Sequence, residues 1–149
     1  MMHRRILLVT FFVLVFLHVA SAQGVENAMR STIGYVNTDG RIENSSRSTV
    51  GYISRNGSGW TIEGSNRSTV GYINASGTDA YTIETSSRST KGYVQRSGDQ
   101  WTVQNSSRST LGYINKDGTV ENGSRNTLGY ARDIPPVWAA MYFFFFQLQ

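Results

Sequence analysis

Three aromatic residues stand at equivalent places in this chain: Trp60, Tyr81 and Trp101, each directly before a Thr-Ile or Thr-Val pair. Polar residues accompany them: Asn56, Asp79, Asp99 and Gln100. Aromatic faces offer a flat apolar surface, and amide and carboxylate side chains hydrogen-bond hydroxyls. A row of such rings with polar neighbours predicts a platform for sugar rings. The structural alternative is that these rings cover the backbone of longer hairpins.

Other chemistries are excluded by residue type. There is no cysteine, and the histidines are His3 and His18, both near the N-terminus. The region beyond them has no Ser-His-Asp or Cys-His machinery and no His or Cys metal site. Carboxylate pairs can hydrolyse glycosides without histidine. The acids here are spread one or two at a time through a repeat, and no pair stands apart from it. We therefore expect no enzyme, and keep a carboxylate-based glycan hydrolase as the second function class. The turns NTDG (37–40) and NKDG (115–118) lack the downstream Glu and the Asp spacing of a calcium loop. No metal or cofactor is expected.

The histidines lie in a leader. His3, Arg4 and Arg5 precede an apolar run from Ile6 to Val19, followed by Ala20-Ser21-Ala22. This is the order of a secretory signal peptide, and cleavage is expected near Ala22. The run is short for a membrane span of ~20 residues. The protein is thus expected to be exported, to the periplasm or beyond. Losing Arg4 and Arg5 takes Lys plus Arg from 14 to 12 against 10 acids, a net charge near +2. No clustered basic patch suggests nucleic acid. Without disulfides, the exported domain must rest on its core and its hydrogen-bond ladders.

The elements that position the aromatics are repeats. The word R-[SN]-T-x-G-Y starts at Arg30, Arg47, Arg67, Arg88, Arg108 and Arg125, at spacings of 17, 20, 21, 20 and 17 residues. A second word lies between: VEN at Val25, IEN at Ile42, TIEG at Thr61, TIET at Thr82, TVQN at Thr102 and TVEN at Thr119. Both words are β-branched or aromatic and suit strands. The Asn-, Asp- and Gly-rich segments between them suit hairpin turns. The three central hairpins are the longer ones and carry Trp60, Tyr81 and Trp101.

Within each unit the fixed residues read as architecture. Arg47, Gly51 and Tyr52, and again Arg67, Gly71 and Tyr72, show the pattern. Glycine weakens a strand, so its repetition predicts close approach by a neighbouring unit's ring or backbone. The tyrosines are expected to pack between units. A glutamate stands four residues before each arginine except Arg108, where Gln104 stands instead. These Glu-Arg pairs predict ion pairs that hold the links in register. Lys91 occupies the apolar position of Val50 and Leu111, where it is expected to snorkel.

The chain begins with a lone second word, Val25-Glu26-Asn27, and ends its repeat with a lone first word, Thr127-Leu128-Gly129-Tyr130. Pairing the two would close a ring and remove both sheet edges. An open hairpin solenoid is the alternative. After Pro135-Pro136 comes VWAAMYFFFFQLQ, whose four consecutive phenylalanines cannot be left in water. Val137 to Leu148 is expected to pack against or thread the ring as core.

The RSTxGY and xIEN words, with the Trp-Ala-Ala segment and the Phe run, resemble a family of small exported proteins of Gram-negative bacteria, the five-fold beta-flower proteins. The resemblance covers the whole chain after the leader. It implies hairpin petals around an axis and carries no assigned activity. The expectation is an all-β protein of five to six hairpins, 17–21 residues each, in a closed ring. Its parts are a leader (1–22), a repeat domain (23–133) and an aromatic segment (134–149). Its expected role is an exported structural or binding module, its partner a glycan or an envelope protein. A purely structural envelope protein without a ligand remains a further alternative. No membrane span is expected after the leader, and the oligomeric state is open.

Overall fold

The computed structural model describes residues 22–148. The expected signal peptide, residues 1–22, lies outside the described residues except for Ala22, with which the first strand begins. Every repeat word contributes a strand, the first words from their Thr onward. The second words form β1 (Ala22–Asn27), β3 (Arg41–Asn44), β5 (Gly59–Gly64), β7 (Ala80–Thr85), β9 (Gln100–Asn105) and β11 (Thr119–Asn122). The first words form β2 (Thr32–Asn37), β4 (Thr49–Asn56), β6 (Thr69–Gly77), β8 (Thr90–Ser97), β10 (Thr110–Asn115) and β12 (Thr127–Tyr130).

All twelve strands close into one antiparallel barrel. The seam is the pairing of β1 with β12, with Glu26 opposite Tyr130 and Asn27 opposite Gly129. The ring is therefore closed, and the open solenoid is excluded: the two lone words at the chain ends complete each other, leaving no unpaired edge. Five turns connect five petals, and the two chain ends supply the sixth pair of strands. One rim of the barrel carries the five turns, and the other carries the six links.

Period-two alternation decides which side chains face the lumen. Val25, Val36, Ile42, Ile62, Ile73, Ile83, Val94, Val103 and Val120 are fully buried there. The glycines of the first words share this face. Beside each of them the ladder slips by one residue. Ile42 lies opposite Gly51, for example, while Glu43 lies opposite Thr49. The extra residue forms a bulge and is the variable one: Ile33, Val50, Val70, Lys91, Leu111 or Leu128.

The lumen is filled by the C-terminal segment, which is helical. A short helix, α1 (Pro136–Ala140), starts with proline in its first turn, where the missing N–H costs nothing. It continues as a π-helical segment, Met141–Phe145. Ala139, Ala140 and Met141 are almost wholly buried. The small alanines fit where the wall presents valine and isoleucine. The large rings follow where the wall presents glycine.

That match is one residue to one petal. A Cβ on Gly34 would meet Tyr142; on Gly129, Phe143; on Gly112, Phe144; on Gly92, Phe145; on Gly71, Phe146; and on Gly51, Leu148. Tyr142 to Phe146, and then Leu148, thus address successive first-word strands around the ring. Six positions on a circle are about 60° apart, whereas an α-helix advances about 100° per residue. The wider i→i+5 winding of a π-helix brings successive rings closer to the petal spacing. The sequence reading assigned close approach to a neighbouring unit. The close approach instead comes from the second strand of the same hairpin, which supplies a backbone carbonyl such as Glu63 O beside Gly51, and from the tail, which supplies the ring.

Candidate functional site: the turn rim and the outer wall

The links hold an unexpected backbone. Arg30, Arg47, Arg67, Arg88, Arg108 and Arg125 all have φ between 65° and 69°. Each closes a three-residue hairpin loop: Arg47 N–H donates to Asn44 O, and Asn44 N–H donates to Ser48 O. The last position of such a loop is left-handed and usually glycine. An L-residue there gives up about 1–2 kcal/mol. At four of the six links, those of Asn27, Asn44, Asn105 and Asn122, an asparagine before the loop offsets part of this. Asn44 Oδ1 accepts the Ser46 and Ser48 N–H groups, both at 3.0 Å.

The arginine side chain offsets more. Tyrosine alternates with the inward glycine and so points outward. Each ring lies under the guanidinium of the following link: Arg47 over Tyr35, Arg67 over Tyr52, Arg88 over Tyr72, Arg108 over Tyr93 and Arg125 over Tyr113, at 3.3–3.6 Å from the centroids. Arg30 over Tyr130 closes the series across the seam at 3.5 Å. The tyrosines therefore face the outer wall and join units through arginine, not by wedging between petals. Five of these arginines also hold their glutamate, from Glu63–Arg67 at 3.0 Å to Glu26–Arg30 at 3.7 Å. Apart from the Glu43–Arg47 pair, whose carboxylate is buried, such solvent-facing pairs contribute about 0–1 kcal/mol each. Repeated round the ring with cation–π stacking, they fix register.

At the turn rim the three aromatics form a row. Trp60 and Tyr81 have centroids 6.0 Å apart, as do Tyr81 and Trp101. Trp60 lies two residues before the buried Ile62, so it shares the inner face. It meets Trp138 of α1 edge-on at 6.2 Å. All four rings are half-buried and continue the core. Cover over the longer petals is thus one task of the row; its Trp101 end opens onto a cleft at the turn rim, and Tyr81 lines another beside Tyr93 and Arg108.

That cleft, of about 260 Å³, is lined by Trp101, Arg96, Asp99, Asn115, Lys116 and Asp133, with Ile114, Ile134 and Pro136 as its apolar floor. It forms where the long β8–β9 petal meets the short β10–β11 petal. Gln100 Nε2 donates to Asn115 Oδ1 at 2.9 Å at this step. Among the sequence-derived candidates, Trp101 and Asp99 meet here. Asp79 reaches it through Arg96, whose Nη1 lies 3.6 Å from Asp79 Oδ2. Asn56 does not: it donates to Thr61 Oγ1 at 3.1 Å on the opposite face. Arg96, Asn115, Lys116 and Asp133 were not anticipated. Register alone points to Arg96, which pairs with Trp101 across β8–β9, just as Arg55 pairs with Trp60.

The NTDG and NKDG segments are turns. Asp39 Oδ1 accepts the Arg41 N–H and Asp117 Oδ1 the Thr119 N–H, both at 2.9 Å. The latter bond, first among several, holds the Asp117 carboxyl below its ordinary value. Among the described residues no group of three acids or histidines is gathered to hold a metal ion. No helix there is long and apolar enough to cross a membrane. Lys91 is exposed, with its ammonium 5.1 Å from the Phe146 ring centroid at the link rim.

The model of the 5-fold beta-flower protein family matches residues 22–147, and the chain belongs to that family. No curated protein and no solved structure matches it.

Proposed function

We propose that this beta-flower is an exported binding module that holds one end of a glycan in the Trp101 cleft. The observation that carries the reading is the composition of that cleft. One aromatic face, two carboxylates, two cations and one carboxamide converge on a single apolar-floored space. Sites of this make-up orient small polar ligands by a few placed hydrogen bonds over an apolar surface. Trp60 and Tyr81 act behind Trp101 and keep its ring upright. An envelope protein bearing such a glycan is the natural partner class.

Titration of intrinsic tryptophan fluorescence with a panel of oligosaccharides and polysaccharides tests the reading. A saturable shift at millimolar sugar or below, lost in Asn115→Ala and in Trp101→Leu, is the expected result. A flat response to every glycan overturns it.

Asp99 and Asp133 line the same cleft, and this favours carboxylate-based glycan hydrolysis as the second reading. Release of reducing ends from the glycan panel, abolished in Asp99→Asn or Asp133→Asn, would replace binding by turnover. Intact glycans after prolonged incubation would remove this reading.

A further inference from the structure

The fifth link, between β9 and β10, differs from the other five on the outer wall. Gln104 stands where they have glutamate, and its amide Nε2 donates to the backbone oxygen of Arg108 at 3.2 Å. Its Oε1 is buried without a hydrogen-bond partner. The Arg108 guanidinium lies 3.6 Å from the Tyr93 ring centroid, as its five counterparts lie over theirs. Among the six link arginines it alone has no carboxylate within ion-pair distance. Beside it the wall opens into a cleft of about 250 Å³, lined among others by Ser76, Thr82, Tyr93, Gln95 and Arg108.

We propose that Arg108 and this cleft bind a small carboxylate ligand, whose carboxylate does for Arg108 what glutamate does at the other links. The guanidinium is already fixed by its ring and by its left-handed backbone, so little side-chain freedom is lost on binding. Its planar fork suits a carboxylate better than a spherical anion. The hydroxyls of Ser76, Thr82 and Tyr93 and the amide of Gln95 give the rest of such a ligand polar partners. The volume is below the ~300–1,000 Å³ of sites for drug-sized molecules, which points to an acid the size of acetate or a single uronic acid. This site is separate from the Trp101 cleft and stands whether or not that cleft holds a glycan.

The repeat supplies its own controls. Arginine Nε–H resonances of the ¹⁵N-labelled protein can be followed during titration with sodium acetate and with sodium D-glucuronate, against sodium chloride at equal ionic strength. Arg108 should shift saturably with either carboxylate at millimolar concentration, while Arg47, Arg67, Arg88 and Arg125 stay still. Gln104→Glu, which restores the pattern of the other links, should abolish the response. Glu84→Gln should create a matching response at Arg88. Equal shifts at all the arginines, the same shift with chloride, no saturation, or an undiminished response in Gln104→Glu would each overturn the proposal.

Discussion

The guanidinium of Arg30 lies 3.5 Å from the ring centroid of Tyr130, joining the first link of the ring to its last strand. The backbone pairing at this seam is short, since β1 and β12 share only the Glu26–Tyr130 and Asn27–Gly129 partners. Side-chain stacking therefore carries more of the closure here than at any internal link. A double-mutant cycle on Arg30 and Tyr130, each to alanine, should give a coupling of about 0.5–2 kcal/mol. The Arg67–Tyr52 cycle should give a similar value. Zero coupling at the seam beside a clear internal value would mean that closure rests on the backbone alone.

The positive φ of the link arginines separates two effects of replacing them. Arg67→Ala loses the Tyr52 stack and the Glu63 pair, and keeps the left-handed strain. Arg67→Gly loses the same contacts and relieves that strain. The glycine variant should therefore be the more stable by about 1 kcal/mol. Urea unfolding of the two variants measures the difference. Equal stabilities would show that the left-handed backbone carries no strain.

Gly51 tests the packing of tail against wall. A Cβ there would lie 2.7 Å from the Glu63 carbonyl oxygen and 3.0 Å from Leu148. The carbonyl belongs to the ladder and cannot yield, so Gly51→Ala should destabilise by about 1–3 kcal/mol, the range for overpacking. Leu148→Ala in that background should recover only part of the loss. Gly57→Ala, at an open turn with φ +59°, should stay within about 1–2 kcal/mol of the parent, the cost of its left-handed backbone alone. Thermal melts of the variants rank them.

Much of this fold was legible because its words repeat. Twelve words became twelve strands, and the lone words at the ends, around Glu26 and Tyr130, foretold closure. The four-residue Glu-Arg spacing foretold the ion pairs. The tail was readable as core but not as a helix: Phe143 to Phe146 show no period, because each meets a different wall glycine, Gly129, Gly112, Gly92 and Gly71, around the ring. The left-handed arginines were hidden because glycine, not arginine, signals that backbone. At the turn rim the two-residue offset from Trp60 to Ile62 already placed the ring inside. Arg96, Lys116 and Asp133 became neighbours of Trp101 only through strand register and the return of the chain after Tyr130.

Removing tail contacts should cost more than removing wall contacts, since each ring meets a whole petal. Phe145 is 5% exposed and packs on Gly92. Phe145→Ala should destabilise by about 3–5 kcal/mol, the range for large buried aromatics. Ending the chain at Ala140 removes all the rings that face the glycines, and it should abolish cooperative unfolding and near-ultraviolet circular dichroism. A truncated chain that still melts cooperatively would show that the barrel stands without its filling.

Tyr142 gives the fold an alkaline limit. Its hydroxyl donates to the Ile33 carbonyl oxygen at 3.4 Å, and burial pushes its ionisation above the ordinary value of 10.0. The folded protein therefore keeps this proton at a pH where the unfolded chain has released it. With more protons bound in the folded state, stability falls as pH rises past the unfolded value. Below that value Tyr142 is neutral in both states, and it adds no pH dependence. Tyr142→Phe should leave the melting temperature at neutral pH nearly unchanged and should flatten its decline above pH 10. The comparison is between the two proteins at each pH, so the outward tyrosines, common to both, cancel. Identical alkaline declines would show that the Tyr142 hydroxyl is as well solvated in the barrel as in the unfolded chain.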